Sequence, residues 1–123
     1  MTHKLFTKSH EWIDVVGQVG TVGITHYAQK ELGEIVYVQL ANVGDIVKAG
    51  QEICVLESTK AAADVYSPVS GKVIAVNEAV VKEPEQLNRF PEAQGWLFKI
   101  EISHPEELKT LLSLSDYENL VSE

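Results

Sequence analysis

At 123 residues, 45% of them hydrophobic, the chain is long enough for one compact domain with a real core and too apolar to be disordered. Ten Lys and Arg against eighteen Asp and Glu give a formal charge of −8; this disfavours nucleic acid and membrane, both polyanionic, as partners and suits basic patches on other proteins. A lone cysteine, Cys54, excludes any disulfide within the chain.

The opening Met1-Thr2-His3-Lys4-Leu5 contains no apolar signal core and no Arg-rich transit segment, and no later run is apolar enough to span a bilayer. The expectation is a soluble protein of a bacterial-type cytoplasm, because a mitochondrial precursor would carry a leader ahead of this start. Short β-type runs between turn signals then dominate. Glu11 to Val16 and Val19 to Ile24 flank Gly17-Gln18 and read as a hairpin. Thr25 can cap a short helix that Gly33 stops. In Glu34 to Leu40, alternation puts Val36, Val38 and Leu40 on one buried face. Ile46-Val47 and Glu52 to Glu57 follow turns at Gly44-Asp45 and Ala49-Gly50. Cys54 lies in the apolar run Ile53 to Leu56, where a thiol is buried and inert.

Val65-Tyr66 and Lys72 to Val76 are separated by the turn Ser67-Pro68-Val69-Ser70-Gly71. Trp96, Phe98, Ile100 and Ile102 alternate against Leu97, Lys99 and Glu101, a half-buried strand with a clear inside. Ser103 to Glu106 reads as a capping box ahead of an apolar stripe of Leu108, Leu111 and Leu112; Ser115 to Glu118 reads as a second one. These C-terminal pieces are expected to cover a sheet edge. We expect one domain over 1–123, with its core at about 6–102 and C-terminal helices at about 104–121.

Val43-Gly44-Asp45-Ile46-Val47 and Val69-Ser70-Gly71-Lys72-Val73 each place a glycine turn just before an apolar strand. Such copies suit a folded-over pair of similar β modules, with the stretch Glu57 to Asp64 at the bend. That stretch, Glu57-Ser58-Thr59-Lys60-Ala61-Ala62-Ala63-Asp64, lacks a favoured Asn-Gly or Asp-Gly turn. A hairpin tip would leave Lys60 standing clear of bulky neighbours, with only Glu57 or Asp64 to pair its charge. The alanines also allow a short helix here.

Other chemistry is thinly represented. His3, His10, His26 and His104 lack zinc-ligand spacing, no carboxylate pattern suits calcium, and no glycine run suits a phosphate loop. No metal site is expected, and no Ser, Cys or Lys stands in a nucleophile motif.

Glu57 through Gly71 resembles the lipoylation signature of the glycine cleavage system H-protein family. Thr7-Lys8-Ser9-His10-Glu11-Trp12, Thr21 to Gln29 with Leu32-Gly33, and Asn88 with Gly95 to Ile100 resemble that family's other blocks, in order, over roughly residues 6 to 120. The chain departs from the pattern at Thr59, where valine is usual, at Ala63, where serine is common, and at Arg89-Phe90-Pro91. The resemblance implies a mainly β fold, a flattened β sandwich (barrel-sandwich hybrid of the biotinyl/lipoyl-carrier type) with short flanking helices that include a C-terminal helical segment. It implies lipoic acid in amide linkage to Lys60, with Glu57 and Gly71, three before and eleven after, aiding the lipoyl-attaching enzymes. Gly71 also has a plain role as a turn residue.

The implied activity is that of a non-enzymatic shuttle. It would take an aminomethyl group from a pyridoxal-phosphate glycine decarboxylase to a tetrahydrofolate-dependent aminomethyltransferase, and electrons to a dihydrolipoyl dehydrogenase. The loaded arm is expected to rest in a cleft at Ser9, Glu11 and Asp64, so that Glu11→Ala would speed its hydrolysis. A lipoyl domain of a 2-oxo acid dehydrogenase would usually have Asp before the lysine, and a biotin carrier would want flanking methionines. An H-like lipoate relay or regulator, and an unmodified adaptor domain, are the further alternatives.

Overall fold

A computed structural model of the protein describes residues 3–122. Among these residues nine strands form two sheets. The larger has the order β1-β2-β3-β9-β8-β5, and the smaller the order β4-β6-β7. β1 (His3–Phe6), β2 (Glu11–Val16) and β3 (Val19–Ile24) make an antiparallel meander, with Val16 opposite Val19 across Gly17-Gln18 as expected. The helix α1 (His26–Leu32) follows; the Thr25 hydroxyl accepts from the Ala28 N–H, and Gly33 closes its end at φ +84°. β4 (Ile35–Gln39), β5 (Ile46–Val47), β6 (Glu52–Ser58), β7 (Ala62–Tyr66) and β8 (Gly71–Val76) come next. The two glycine-turn copies meet: Ile46 pairs with Lys72 and Val47 with Gly71. The chain thus folds over on itself, with the β6–β7 bend at Lys60 between the two copies. The result is the two-sheet, mainly β architecture with short helices that the resemblance implied.

Several local expectations are corrected. Val36 is not buried; it is 52% exposed. A register shift pairs Ile35 with Ser58 but Tyr37 with Glu57, so Val36 is an extra bulged residue and the alternation breaks there. Leu97 is fully buried, whereas Trp96 is only half-buried. The strand β9 (Phe98–Ile102) starts after both. Leu97 shares a core cluster with Val80 and Leu87, carried by two short helices not foreseen in the sequence, α2 (Glu78–Lys82) and α3 (Glu85–Arg89).

The segment Pro105–Thr110 is a 3-10 helix without a side-chain cap, and the Ser103 hydroxyl pairs with its neighbour His104 at 2.8 Å. Its tighter turn directs Glu107, rather than Glu106, back onto the protein, where it grips Ser70. The C-terminal helix α4 (Leu114–Val121) is capped two residues earlier than expected, by Ser113, whose hydroxyl accepts from Asp116 N–H. The leucine stripe is split: Leu108 and Leu111 pack on the main core, and Leu112 on a second apolar cluster.

Alternation along β2 explains the two clusters. Ile13 enters the core between the sheets, while Trp12 points to the opposite face and joins Phe6 and Tyr117. Phe6 and Tyr117 stack with centroids 4.9 Å apart. Phe6 and Leu112 exchange backbone hydrogen bonds of 2.8 and 2.7 Å, so the C-terminal segment covers the outer edge at β1.

Candidate functional site

The bend between β6 and β7 is a four-residue turn, with no helix. Ala62 and Ala63, just after it, lie in β7, where strand pairing overrides the helical preference of alanine. In place of an Asn-Gly turn, Ser58 organises the loop. Its hydroxyl accepts from the N–H groups of Lys60 and Ala61, at 3.1 and 3.0 Å, while its own N–H donates to the Ala61 carbonyl at 2.8 Å. Lys60 projects from this tip, exposed, and among the described residues no carboxylate comes within ion-pair range of it. Its aliphatic stem lies across Gly33: a methyl group there would stand 2.8 Å from Lys60 Cε.

Beside the tip is a cleft of about 330 Å³. Its lining comes mainly from Ser9, His10 and Glu11 leading into β2, from Tyr27, Ala28, Glu31 and Leu32 on one face of α1, and from Ala63 to Val65 on β7, with Ile24 and Leu56 completing it. Ser9, Glu11 and Asp64 therefore do come together, but in unequal states. Glu11 is 2% exposed. Its Oε1 accepts from the Thr7 and Ser9 hydroxyls, and its Oε2 from the Tyr66 N–H at 3.2 Å. Both oxygens are thus engaged in tying the β1–β2 turn to β7. Asp64 is exposed, as is Glu31 across the cleft, and these are the carboxylates at the rim.

Three cleft residues and one anchor were not singled out from the sequence: His10, Tyr27, Glu31 and Tyr117. His10 has a left-handed backbone at φ +72°, uncommon for a residue other than glycine. Its ring lies 4.7 Å from that of Tyr27, and its Nδ1 is 2.8 Å from the Tyr117 hydroxyl. That hydroxyl also pairs with Thr25 Oγ1 at 2.7 Å. Burial pushes the Tyr117 hydroxyl above the ordinary tyrosine pKa, against the opposing effect of Thr25, so it stays neutral and links the C-terminal helix to the cleft wall. His10 and Tyr27 do lie inside the sequence blocks at Thr7–Trp12 and Thr21–Gln29; Tyr117 is 107 residues from His10, and only folding joins them.

Glu57 is exposed on β6, opposite Tyr37 and Ala62 and three residues before Lys60. Gly71 is buried at the start of β8, in the sheet that does not contain the tip, paired with Val47 and Ile102. A Cβ on it would stand within 3.0 Å of the Glu101 carbonyl carbon and closer still to its oxygen, so close strand packing alone demands glycine there. Cys54 is 2% exposed, and burial, partly offset by a hydrogen bond from Ala41, pushes its thiol up to about 11. Among the described residues no group of three or more His, Cys, Asp or Glu is placed to hold a metal ion. None of the described helices is long and apolar enough to cross a membrane.

A family model described as glycine cleavage H-protein matches residues 4–123. A glycine cleavage system H protein from Carboxydothermus hydrogenoformans is 51% identical over 118 residues, covering 96% of this chain and 91% of that one. The H protein of Thermotoga maritima is 50% identical over 123 residues, covering 100% and 99%. A crystal structure of a glycine cleavage system H protein from Mycobacterium marinum superposes with a TM-score of 0.90 at 34% identity, over 98% of this chain and 97% of that one.

Proposed function

The chain belongs to the glycine cleavage H-protein family, and from that premise we propose that Lys60 bears lipoic acid in amide linkage and carries it among the enzymes of the glycine cleavage system. The observation that carries this reading is the ammonium group of Lys60. It is exposed on a bend of small residues, held by no carboxylate among the described residues, and open to acylation by another enzyme. When bound, a lipoyl group supplies a disulfide that opens to take up an aminomethyl group and afterwards yields two electrons.

The chain's own residues position and shelter. Leu32 lines the cleft, next in sequence to Gly33 where the Lys60 stem lies, so the attachment point and the shelter adjoin. A protonated amine entering the cleft would be drawn by Asp64 and Glu31, exposed and free of ion pairs among the described residues. Glu11 acts as the brace that holds the cleft wall. Glu57 is accessible to a lipoyl-attaching enzyme approaching the tip, and Gly71 acts through the fold. The enzymes served are glycine decarboxylase, aminomethyltransferase and dihydrolipoyl dehydrogenase, and tethering keeps the arm at high effective concentration near whichever is docked.

Intact mass of the protein from lipoate-replete cells tests the attachment: a lipoyl increment is expected, absent from Lys60→Ala. An unmodified wild-type protein would overturn it. Reconstitution with the three enzymes should support glycine-dependent exchange of carbon with bicarbonate, and its absence from a lipoylated protein would favour a lipoate relay instead. Asp64→Asn should shorten the life of the loaded arm severalfold. An unchanged half-life would remove Asp64 from the cleft role.

A further inference from the structure

Asn88 lies on α3, outside the cleft, and none of the roles above uses it. Three of the four hydrogen bonds that its side chain can make go to one corner of the chain, the end of α1 and the connection to β4. Its Oδ1 accepts from the Ile35 N–H at 2.8 Å, and its Nδ2 donates to the Gly33 carbonyl at 2.7 Å and to Gln29 Oε1 at 3.0 Å. The amide therefore brackets Glu34 from both sides.

The Ile35 N–H belongs to the same peptide unit as the Glu34 carbonyl. A trans peptide is planar and rigid, with its N–H and C=O pointing in opposite directions. Fixing the N–H on Asn88 thus aims the carbonyl the other way, where it accepts from the Thr59 N–H at 3.0 Å. Thr59 directly precedes Lys60. The other hydrogen bonds of the tip, through Ser58, are internal to the turn. The Thr59 bond carries the pairing of Ile35 with Ser58 one residue further, and among residues 59–61 it is the hydrogen bond described to a different element. The same corner supplies Gly33, whose bare Cα accommodates the Lys60 stem.

We propose that Asn88 is a positioning residue for the chemistry at Lys60, acting through the single Glu34–Ile35 peptide on the Thr59 N–H. This rests on the reading of Lys60 as the attachment point. The contact uses only backbone at residue 59, so it is indifferent to the threonine that stands there in place of the family's usual valine. Losing it would leave the hairpin formed but free to tilt, and displacements of about 1 Å cost up to about 10²-fold in rate where geometry governs reaction.

The test compares Asn88→Ala with Asn77→Ala in the full chain. Asn77 is the matched control: its amide likewise clamps backbone, donating to the carbonyls of Gln94 and Trp96 at 2.9 and 2.8 Å, but at a corner that makes no hydrogen bond to the tip. In Asn88→Ala, hydrogen exchange at the Thr59 amide should rise on the order of tenfold or more relative to amides of β2, β3 and β9. The kcat for lipoate attachment by a lipoate–protein ligase should fall on the order of tenfold with KM nearly unchanged. Asn77→Ala should do neither. Unchanged Thr59 exchange in Asn88→Ala, or an equal loss of attachment in both variants, would overturn the proposal. The exchange measurement needs no lipoate, so it stands or falls separately from the modification of Lys60, which the wild-type mass reports.

Discussion

Two bends of the same β framework are built in opposite ways. The bend between β6 and β7, at residues 58–61, is exposed from Thr59 to Ala61, and its ties to other elements are to β4 and the residue before it, through the pairing of Ser58 with Ile35 and the Thr59 tether to Glu34. The bend between β7 and β8, at residues 67–70, is sunk into the protein. Val69 is fully buried and Ser67 is 2% exposed. There Glu107 accepts from the Ser70 N–H and hydroxyl at 2.7 and 2.9 Å, and the Ser70 carbonyl accepts from the Ser103 N–H at 3.0 Å. One bend is held by residues from the far end of the chain, and the other stands open to solvent. Stability is concentrated at the first and access at the second, so substitutions should separate the two.

The sharpest separation is expected from Gly71→Ala. The added methyl would press on the Glu101 backbone, which cannot yield as a side chain can, and a loss of about 3 kcal/mol or more is expected from urea unfolding. A near-neutral result would mean that the strand spacing relaxes and would return Gly71 to a recognition role. Next in size, Glu107→Ala leaves the Ser70 donors without their carboxylate and should cost about 2 kcal/mol in the same measurement.

A smaller effect is confined to alkaline pH. The Cys54 thiol titrates near 11 in the folded protein against 9.0 for an unperturbed thiol. Above pH 9 the unfolded chain loses this proton first, so the stability that Cys54 contributes is present below that point and falls as pH rises toward 11. At pH 8 the native protein should resist iodoacetamide, and a Cys54→Ala variant should show a flatter decline in stability across the alkaline window. At the open bend, Lys60→Arg should shift stability by no more than about 0.5 kcal/mol while abolishing the lipoyl mass increment. A large destabilisation there would contradict the division between the two bends.

Features carried by neighbouring residues were legible in the sequence. The hairpin around Gly17-Gln18, the helix from Thr25 to Gly33 and the burial of Cys54 each follow from a few adjacent side chains. The pairing of the two glycine-turn copies was suggested by their likeness, and the family resemblance supplied the two-sheet form. Periodicity failed where the pleat was interrupted, at the Val36 bulge and at Leu97 just ahead of β9. The capping-box pattern failed at Ser103 and Ser115, because long-range contacts of Glu107, Leu112 and Tyr117 place the C-terminal segment, and the cap of its last helix falls at Ser113 instead. Glu11 was grouped with Asp64 as a cleft carboxylate, and its burial beneath Thr7, Ser9 and Tyr66 could not be read from its place in a motif.

By itself, then, the order of residues determined most of the strands from Glu11 onward, where the chain turns between them, and that one lysine stands among small neighbours. Tertiary structure alone decided that Asn88 and Thr59 bond to opposite sides of a single peptide, that Tyr117 braces the cleft from the far end, and that Gly71 is pressed against the Glu101 backbone. The reason is the range of the interactions. Turn and cap preferences act over a few residues along the chain, whereas burial and hydrogen-bond completion are settled only once distant segments have met and excluded water from between them.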